Sequence, residues 1–548
     1  MKKGDKVSCQ KETHRSLMMV LFVCSITVFA DNPIFQHLFT ADPAPMVYKD
    51  TVFCYTSHDE DVLVDNFFTM RDWLCYSTTD MVNWRFRGRV ASLKNFSWAG
   101  TNGAWAVQCI PRDGKFYMYC PVHMKGIGVL VADKPDGPFT DPIKKPLLNN
   151  TSNDIDPTVF IDDDGQAYLY WGNPTCTYVK LNKDMISYSG SRVALNMTVE
   201  SFGARTKTDR ATSYEEGPWL CKRNSLYYLI FAGGPLSEHI AYSTSSSPTG
   251  PWKYRGVIMP TQSGAAFTNH SGVIDFKGNS YMFYHDQTLS NNGFKRSVSL
   301  EKFSYNADGT IPRITATKEG VPQVGVLNPY DTVQAETVCY ASGVEMNACN
   351  EGIQVDSINN NDYIKIKGVD FGDGAKSFEA RVASGASGKI ELRLDSQTGK
   401  LIGTCDVAGT GGWDKWVTKT CDISGATGKH DLYLKFTGGN GFLFNFNWWR
   451  FIPIQTGVES GVKKGAQLQS CITVSTNKKT VTFKPGSGSQ QNVSIKLYNL
   501  SGSLVSSLFQ GEINQSELTM DLKTVPSGTY LVKIQTGKAV MTKEISLQ

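Results

Sequence analysis

Beyond Ala30 the chain lacks any apolar run near the 20 residues a spanning helix takes, and it lacks helical heptads and low-complexity tracts. These absences argue against a membrane span and a coiled coil. Charge of one sign is missing too. Of the 55 basic and 51 acidic residues, five and two fall in residues 1–30, which leaves a net charge near +1 beyond them. So weak a field argues against nucleic acid or an anionic membrane as partner. No CxxC pair occurs among the 13 cysteines, so no zinc site is suggested. Cys9 and Cys24 lie in the first 30 residues, and the remaining 11 are an odd number. Cys339/Cys349 and Cys405/Cys421 are close enough in sequence to pair.

A basic start (Lys2, Lys3, Lys6, Lys11, Arg15) precedes an apolar stretch from Ser16 to Ala30. This reads as a signal peptide over residues 1–30, cut near Ala30. It predicts a secreted or cell-surface protein, in which some disulfides are permitted.

The 548 residues suffice for two to four domains. With 50 Gly and 23 Tyr and few helical runs, the composition favours an all-β chain. Within the first three hundred residues one pattern occurs five times. The copies open on Asp42-Pro43, Trp105-Ala106, Asp156-Pro157, Glu216-Gly217-Pro218 and His270-Ser271-Gly272. Each passes through a polar or glycine turn to an aromatic-rich strand, as in Phe116-Tyr117-Met118-Tyr119 and Tyr281-Met282-Phe283-Tyr284. A period of about 50–65 residues is that of a β-propeller blade or somewhat more. Equivalent positions of the blades meet near one axis, so these reactive side chains are expected to converge. Turn motifs such as Asp80-Met81-Val82-Asn83-Trp84 and Pro248-Thr249-Gly250-Pro251-Trp252 are expected to lead into outer strands of the blades.

Glycosidic hydrolysis needs an acid to protonate the leaving oxygen and a base to activate water. A third carboxylate nearby raises the acid's pKa by like-charge repulsion. Any single Asp-Pro is ordinary turn chemistry, but Asp42, Asp156 and Glu216 are expected to fill one slot of the repeat. Glu215 competes locally; strand alternation points it the other way. The run Asp162-Asp163-Asp164-Gly165 invites a calcium reading, but its place between two strands of one blade predicts a solvated hairpin turn.

Ala41-Asp42-Pro43-Ala44-Pro45, Ile155-Asp156-Pro157-Thr158-Val159-Phe160, Glu216-Gly217-Pro218-Trp219 and Thr268-Asn269-His270 together resemble glycoside hydrolase family 43. The resemblance covers about residues 32–315, within a catalytic domain expected over 31–320, and implies a five-bladed β-propeller of inverting enzymes without an organic cofactor. It implies Asp42 as general base, Glu216 as general acid and Asp156 as the modulator of the acid. His270 matches a central histidine often next to calcium or another ion. Trp105 is expected as a wall of the sugar pocket and Arg296 as a contact to substrate hydroxyls.

Residues 330–453 resemble a family 6 carbohydrate-binding module, through Gln334-Ala335-Glu336, Gly411-Gly412-Trp413-Asp414-Lys415-Trp416 and Asn445-Phe446-Asn447-Trp448. The resemblance implies a jelly-roll β-sandwich with a structural calcium held by Gln334, Glu336 and Asn447, all oxygen donors. It implies sugar stacking on Trp413 with help from Asn445, whereas the usual Tyr is replaced by Ser357. A polar linker over 454–469 leads to a small β-sandwich over 470–548. Tyr498-Asn499-Leu500-Ser501-Gly502 and Pro526-Ser527-Gly528-Thr529-Tyr530 there are similar to the C-terminal sorting domain of type IX secretion substrates, which implies that secretion machinery and a Gram-negative host. The combined expectation is a monomer that removes α-L-arabinofuranosyl groups from arabinoxylan. The alternatives are a β-xylosidase or a bifunctional enzyme, then an arabinanase, then a non-catalytic sugar-binding propeller.

Overall fold

The computed structural model describes residues 31–149, 153–454, 471–475, 479–484, 492–499, 503–513, 517–536 and 539–547. The expected signal peptide, and the expected linker beyond Ile454, lie outside the described residues. The described chain is almost wholly β; its helices are one turn at Val199–Phe202 and a 3-10 turn at Leu93–Asn95.

Residues 39–303 form five successive antiparallel sheets. Their first strands are Phe39–Tyr48, Gln108–Arg112, Thr158–Ile161, Tyr214–Arg223 and Gly272–Phe276. These first strands touch their neighbours in a closed circuit, the last returning to the first. That is the geometry of a β-propeller, with the five expected repeat starts at the head of the inner strands. Each second strand is one of the aromatic-rich segments: Thr51–Asp59, Lys115–Val122, Ala167–Trp171, Leu226–Gly233 and Asn279–Asp286. Both of their faces are buried, because each sheet packs against a sheet on either side. Outer strands Trp84–Ser92 and Lys253–Met259 follow the two turn motifs predicted to precede them. Asp80 seeds one of these turns by accepting from the backbone N–H of Val82 and Asn83. The Asp162–Gly165 segment is the expected hairpin turn, with Lys222 bridging Asp162 and Asp163.

The expected binding module, residues 330–453, is a sandwich of two sheets. One contains Glu345–Cys349, Gly352–Asp356, Asn445–Pro453, Ala375–Ser384 and Gly412–Asp422; the other contains Tyr340–Ser342, Tyr363–Asp370, Lys429–Gly438, Gly388–Leu394 and Leu401–Val407. The module joins the propeller by strand addition. Thr337–Val338 pairs with the outer strand Trp84–Ser92, so the first sheet gains a fifth strand and its open edge is covered. One apolar core runs through the junction, from Leu74, Trp84 and Phe283 to Val338, Ala341 and Trp449. Buried Asp31 pairs there with Lys365 at 3.1 Å and with Lys367.

Cys339 and Cys349, close enough in sequence to pair, are not bridged. Cys339 Sγ donates to Asp31, and Cys349 Sγ accepts from the Glu351 N–H. Cys405 and Cys421 are also free thiols, and their side chains are within hydrogen-bonding reach of each other.

The C-terminal unit is separate. Its sheets are Cys471–Ser475, Thr480–Lys484 and Leu518–Asp521 on one side, and Leu504–Glu512, Asn492–Asn499, Gly528–Thr536 and Ala539–Leu547 on the other. Val481, Phe483, Ile495, Leu497 and Val532 form its core.

Candidate active site

A pocket opens where the inner strands begin. Asp42, Trp105, Asp156, Glu216, His270 and Arg296 all line it, with Phe67, Phe68, Met70 and Thr268. The five repeat starts therefore converge as expected, and Arg296 joins them.

The backbone explains how the acids turn inward. Asp42 and Asp156 each precede a proline and hold positive φ, 53° and 56°. A positive φ is uncommon outside glycine, and proline favours an extended residue before it. The inner strand Phe39–Tyr48 bulges there, between Ala41 and Ala44. In the fourth sheet the residue before proline is Gly217, with φ 60°, and the bulge runs from Glu216 to Trp219. Residue for residue, Gly217 is thus the counterpart of the aspartates. Glu216 stands one position earlier, which corrects the expectation of a shared slot. Gly217 also leaves room for His270, whose Nδ1 would lie 3.2 Å from a Cβ at that position. Glu215 points away as expected and is paired with Arg205 at 2.5 Å and with Arg210.

Asp42 is buried and accepts from Ser57 Oγ at 2.7 Å and from Arg296 Nη1 at 3.0 Å. Burial acts to raise its pKa, but the Arg296 guanidinium and then the Ser57 hydroxyl oppose this, and the carboxyl is held below its usual value. The Asp42 N–H donates to His285 Nδ1 at 3.1 Å, and His285 Nε2 contacts the Thr268 carbonyl at 3.0 Å. Burial pushes His285 down to about 3, so its ring is neutral and can accept at Nδ1.

Glu216 differs in kind. Burial pushes its pKa up to about 7, with Asp42 and Glu215 adding to the rise, while Asn173 Nδ2 donates to its Oε2 at 2.6 Å and opposes it. Asp156 is also raised, by burial and then by Glu216, and it accepts from the Gly217 N–H at 3.0 Å. The pocket thus contains an ionised carboxylate and a neighbouring pair of carboxyls that retains a proton near neutrality.

Arg296 is buried and forked onto Asp59, with Nε and Nη2 both at 2.9 Å, while Nη1 serves Asp42. The Trp105 indole stacks on His123 with centroids 3.9 Å apart. His270 is buried with burial lowering its pKa, so it is neutral. Four residues that hold the acids and the arginine went unseen in the sequence: Ser57, Asp59, Asn173 and His285. The first two and His285 sit near the ends of second strands, where their residue types alone carry no sign of a site.

In the module, Trp413 is 43% exposed and its carbonyl accepts from Asn445 Nδ2 at 2.8 Å, so the two expected sugar-binding residues are adjacent. Glu336 is wholly buried; Oε1 accepts from Arg85 at 2.9 Å, while Oε2 has no hydrogen-bond partner among the described residues. Burial raises its pKa to about 7. An unpartnered buried carboxylate oxygen is what a hard cation satisfies, so Glu336 fits the expected calcium. Asn447 aims its amide nitrogen at the Ile353 carbonyl, 3.0 Å away, which leaves Oδ1 as its donor. Among the described residues, one group of three His, Cys, Asp or Glu ligand atoms lies mutually within 4.8 Å, namely His58, Glu60 and Asp72. His270 is not in it, so the ion expected near His270 finds no such ligand set.

A propeller with this carboxylate set defines the class: a glycoside hydrolase. Residues 30–311 match Glycosyl hydrolases family 43, residues 334–453 the Carbohydrate binding module (family 6), and residues 475–548 the Secretion system C-terminal sorting domain. The chain belongs to glycoside hydrolase family 43, as its sequence motifs implied. An arabinoxylan arabinofuranohydrolase of Bacillus subtilis is 37% identical over 486 residues, spanning 77% of this chain and 92% of that protein. A xylosidase/arabinosidase of Bacteroides ovatus is 31% identical over 51% of this chain and 96% of its own length. The solved structure of a family 43 arabinoxylan arabinofuranohydrolase from Bacillus subtilis, in complex with cellotetraose, superposes with a TM-score of 0.68 at 34% identity, covering 77% and 98% of the two chains. The protein is a glycoside hydrolase, and its sorting domain makes it a secreted or cell-surface one. No helix among the described residues is long and apolar enough to cross a membrane.

Proposed function

We propose that this enzyme removes α-L-arabinofuranosyl groups from arabinoxylan by a single displacement that inverts the anomeric centre. Asp42 takes a proton from water as the water attacks C1, and Glu216 gives its proton to the leaving glycosidic oxygen. Asp156 shares its proton with Glu216 and keeps that acid charged with a proton near neutral pH. One observation carries the reading: Asp42 lies below the usual carboxylate pKa while Glu216, in the same pocket, is raised to about 7. Two carboxyls driven apart in this way are the acid and base of such chemistry. Trp105 and His270 form the walls of the sugar site, and Arg296 reaches it through Nη1 while fixing Asp42. In the module, Trp413 and Asn445 contact polysaccharide, and Glu336, Gln334 and Asn447 Oδ1 would hold calcium.

The test is Glu216→Gln, assayed by product analysis on arabinoxylan and by proton NMR of the first-formed sugar. Wild type is expected to release β-configured arabinose from an intact xylan backbone. The variant should lose nearly all activity on arabinoxylan and less on a substrate with an activated leaving group. Full activity of the variant, or a retained anomer, overturns the mechanism; xylose as sole product moves the specificity to a β-xylosidase.

A further inference from the structure

We infer that Phe67 is a sugar-stacking platform at the mouth of the catalytic pocket, and that it receives the backbone xylose bearing the arabinosyl branch. This rests on the arabinoxylan reading above and extends it from the pocket to its rim. Phe67 lies on the loop between strands Thr51–Asp59 and Asp72–Thr78 and is 46% exposed. Its ring lines the pocket and belongs to an aromatic cluster rather than standing alone, and a contiguous exposed apolar patch of that kind marks a contact surface. Its neighbours hold it there. Asp65 and Asn66 both adopt positive φ, 54° and 51°, and the Phe67 N–H donates to the Val64 carbonyl at 3.1 Å. That is a tight two-residue hairpin turn, with both central residues left-handed. Thr69 Oγ1 staples the hairpin by accepting from the Val64 N–H at 2.8 Å, and Asn102 pins its base by accepting from the Met70 N–H at 2.8 Å.

The ring is also supported from the pocket side. Phe67 meets Phe68 edge-on at 5.2 Å and Phe294 at 5.8 Å, and Phe294 packs against Phe68 and Phe267, both at 4.9 Å. Arg296, which holds Asp42, lies over the Phe68 ring at 4.6 Å. The aromatic wall is therefore continuous from the catalytic base to the solvent-facing ring. A pentosyl group lodged among the acids must leave its glycosidic oxygen pointing out of the pocket, and the next sugar ring falls against that wall. Aromatic faces suit the C–H faces of a pyranose and read no sequence of hydroxyls.

The test compares two substrates of one enzyme: arabinoxylan, and α-L-arabinofuranosyl fluoride, whose leaving group has no ring. For Phe67→Ala, the ratio of kcat/KM on arabinoxylan to kcat/KM on the fluoride should fall about 5- to 100-fold, mostly through KM. Phe67→Trp should restore it. An unchanged ratio in Phe67→Ala overturns the platform. A wild-type enzyme that cleaves neither substrate defeats the arabinofuranosidase reading itself, which separates the two failures.

Discussion

Asn173 donates its side-chain amide to Glu216 Oε2 at 2.6 Å, reaching across from the neighbouring sheet that begins just after Asp156. This bond favours the carboxylate, whereas burial favours the acid, and the resulting value near 7 is the balance between them. Asn173→Ala removes the opposing influence. In the proposed mechanism the alkaline limb of the pH–rate profile marks loss of the Glu216 proton, and it should then move to higher pH. Because the acid also loses its orientation, kcat should fall about tenfold. A profile recorded between pH 4 and 9 checks both; an alkaline limb that moves down rejects the assignment of that limb to Glu216.

In the proposed mechanism the acid limb belongs to Asp42. Ser57 donates to its Oδ2 at 2.7 Å and helps keep it ionised. A hydrogen bond to a charged group is worth about 1.5 kcal/mol or more, close to one pH unit. Ser57→Ala should therefore move the acid limb upward by about one unit and leave the alkaline limb in place.

Glu301 should contribute a pH dependence of stability opposite in direction to that of a salt-bridged carboxylate. Glu301 accepts from the Thr317 N–H at 2.6 Å and from Tyr284 at 3.2 Å, and burial, its main cause, raises it to about 7 from an ordinary 4.5. Between those two values the folded state holds a proton that the unfolded chain has released, so stability is lost as pH rises through this window. Thermal unfolding should show Tm falling by roughly 3–6 °C from pH 5 to pH 8. Glu301→Gln should flatten the slope.

Calcium, if bound by the module, should raise Tm through mass action. Chelation with EDTA should lower Tm of the intact enzyme, and Glu336→Gln should abolish the response. A response that survives in Glu336→Gln places the ion elsewhere.

The thiol contact between Cys405 and Cys421 predicts which pair an added dithiol oxidant closes. Diamide should consume two thiols and link those two residues, found by peptide mapping, with Cys339 and Cys349 remaining reduced. A Cys339–Cys349 peptide contradicts the fold at that edge.

The sequence displayed the propeller because each sheet repeats the same cue, a reactive side chain followed by an aromatic strand. It displayed Asp42 and Asp156 because aspartate before proline recurs. Glu216 was found for a partly mistaken reason: Gly217 holds the equivalent backbone position, and the glutamate works from the residue before it. Ser57, Asp59 and His285 were illegible for a different reason. Each sits toward the far end of a second strand, and only the pairing of that strand with its neighbours brings it to the axis. Arg296 was recognised as a site residue, but its fork onto Asp59 depends on a contact 237 positions away in sequence.

The strand Thr337–Val338 has one more consequence. Because it completes the first propeller sheet, the module and the catalytic pocket stand at a constant offset. A xylan chain gripped at Trp413 would present its branches to Asp42 and Glu216 at a set distance from the grip. The enzyme would then act as a ruler along the polymer, favouring branches spaced to match its own length.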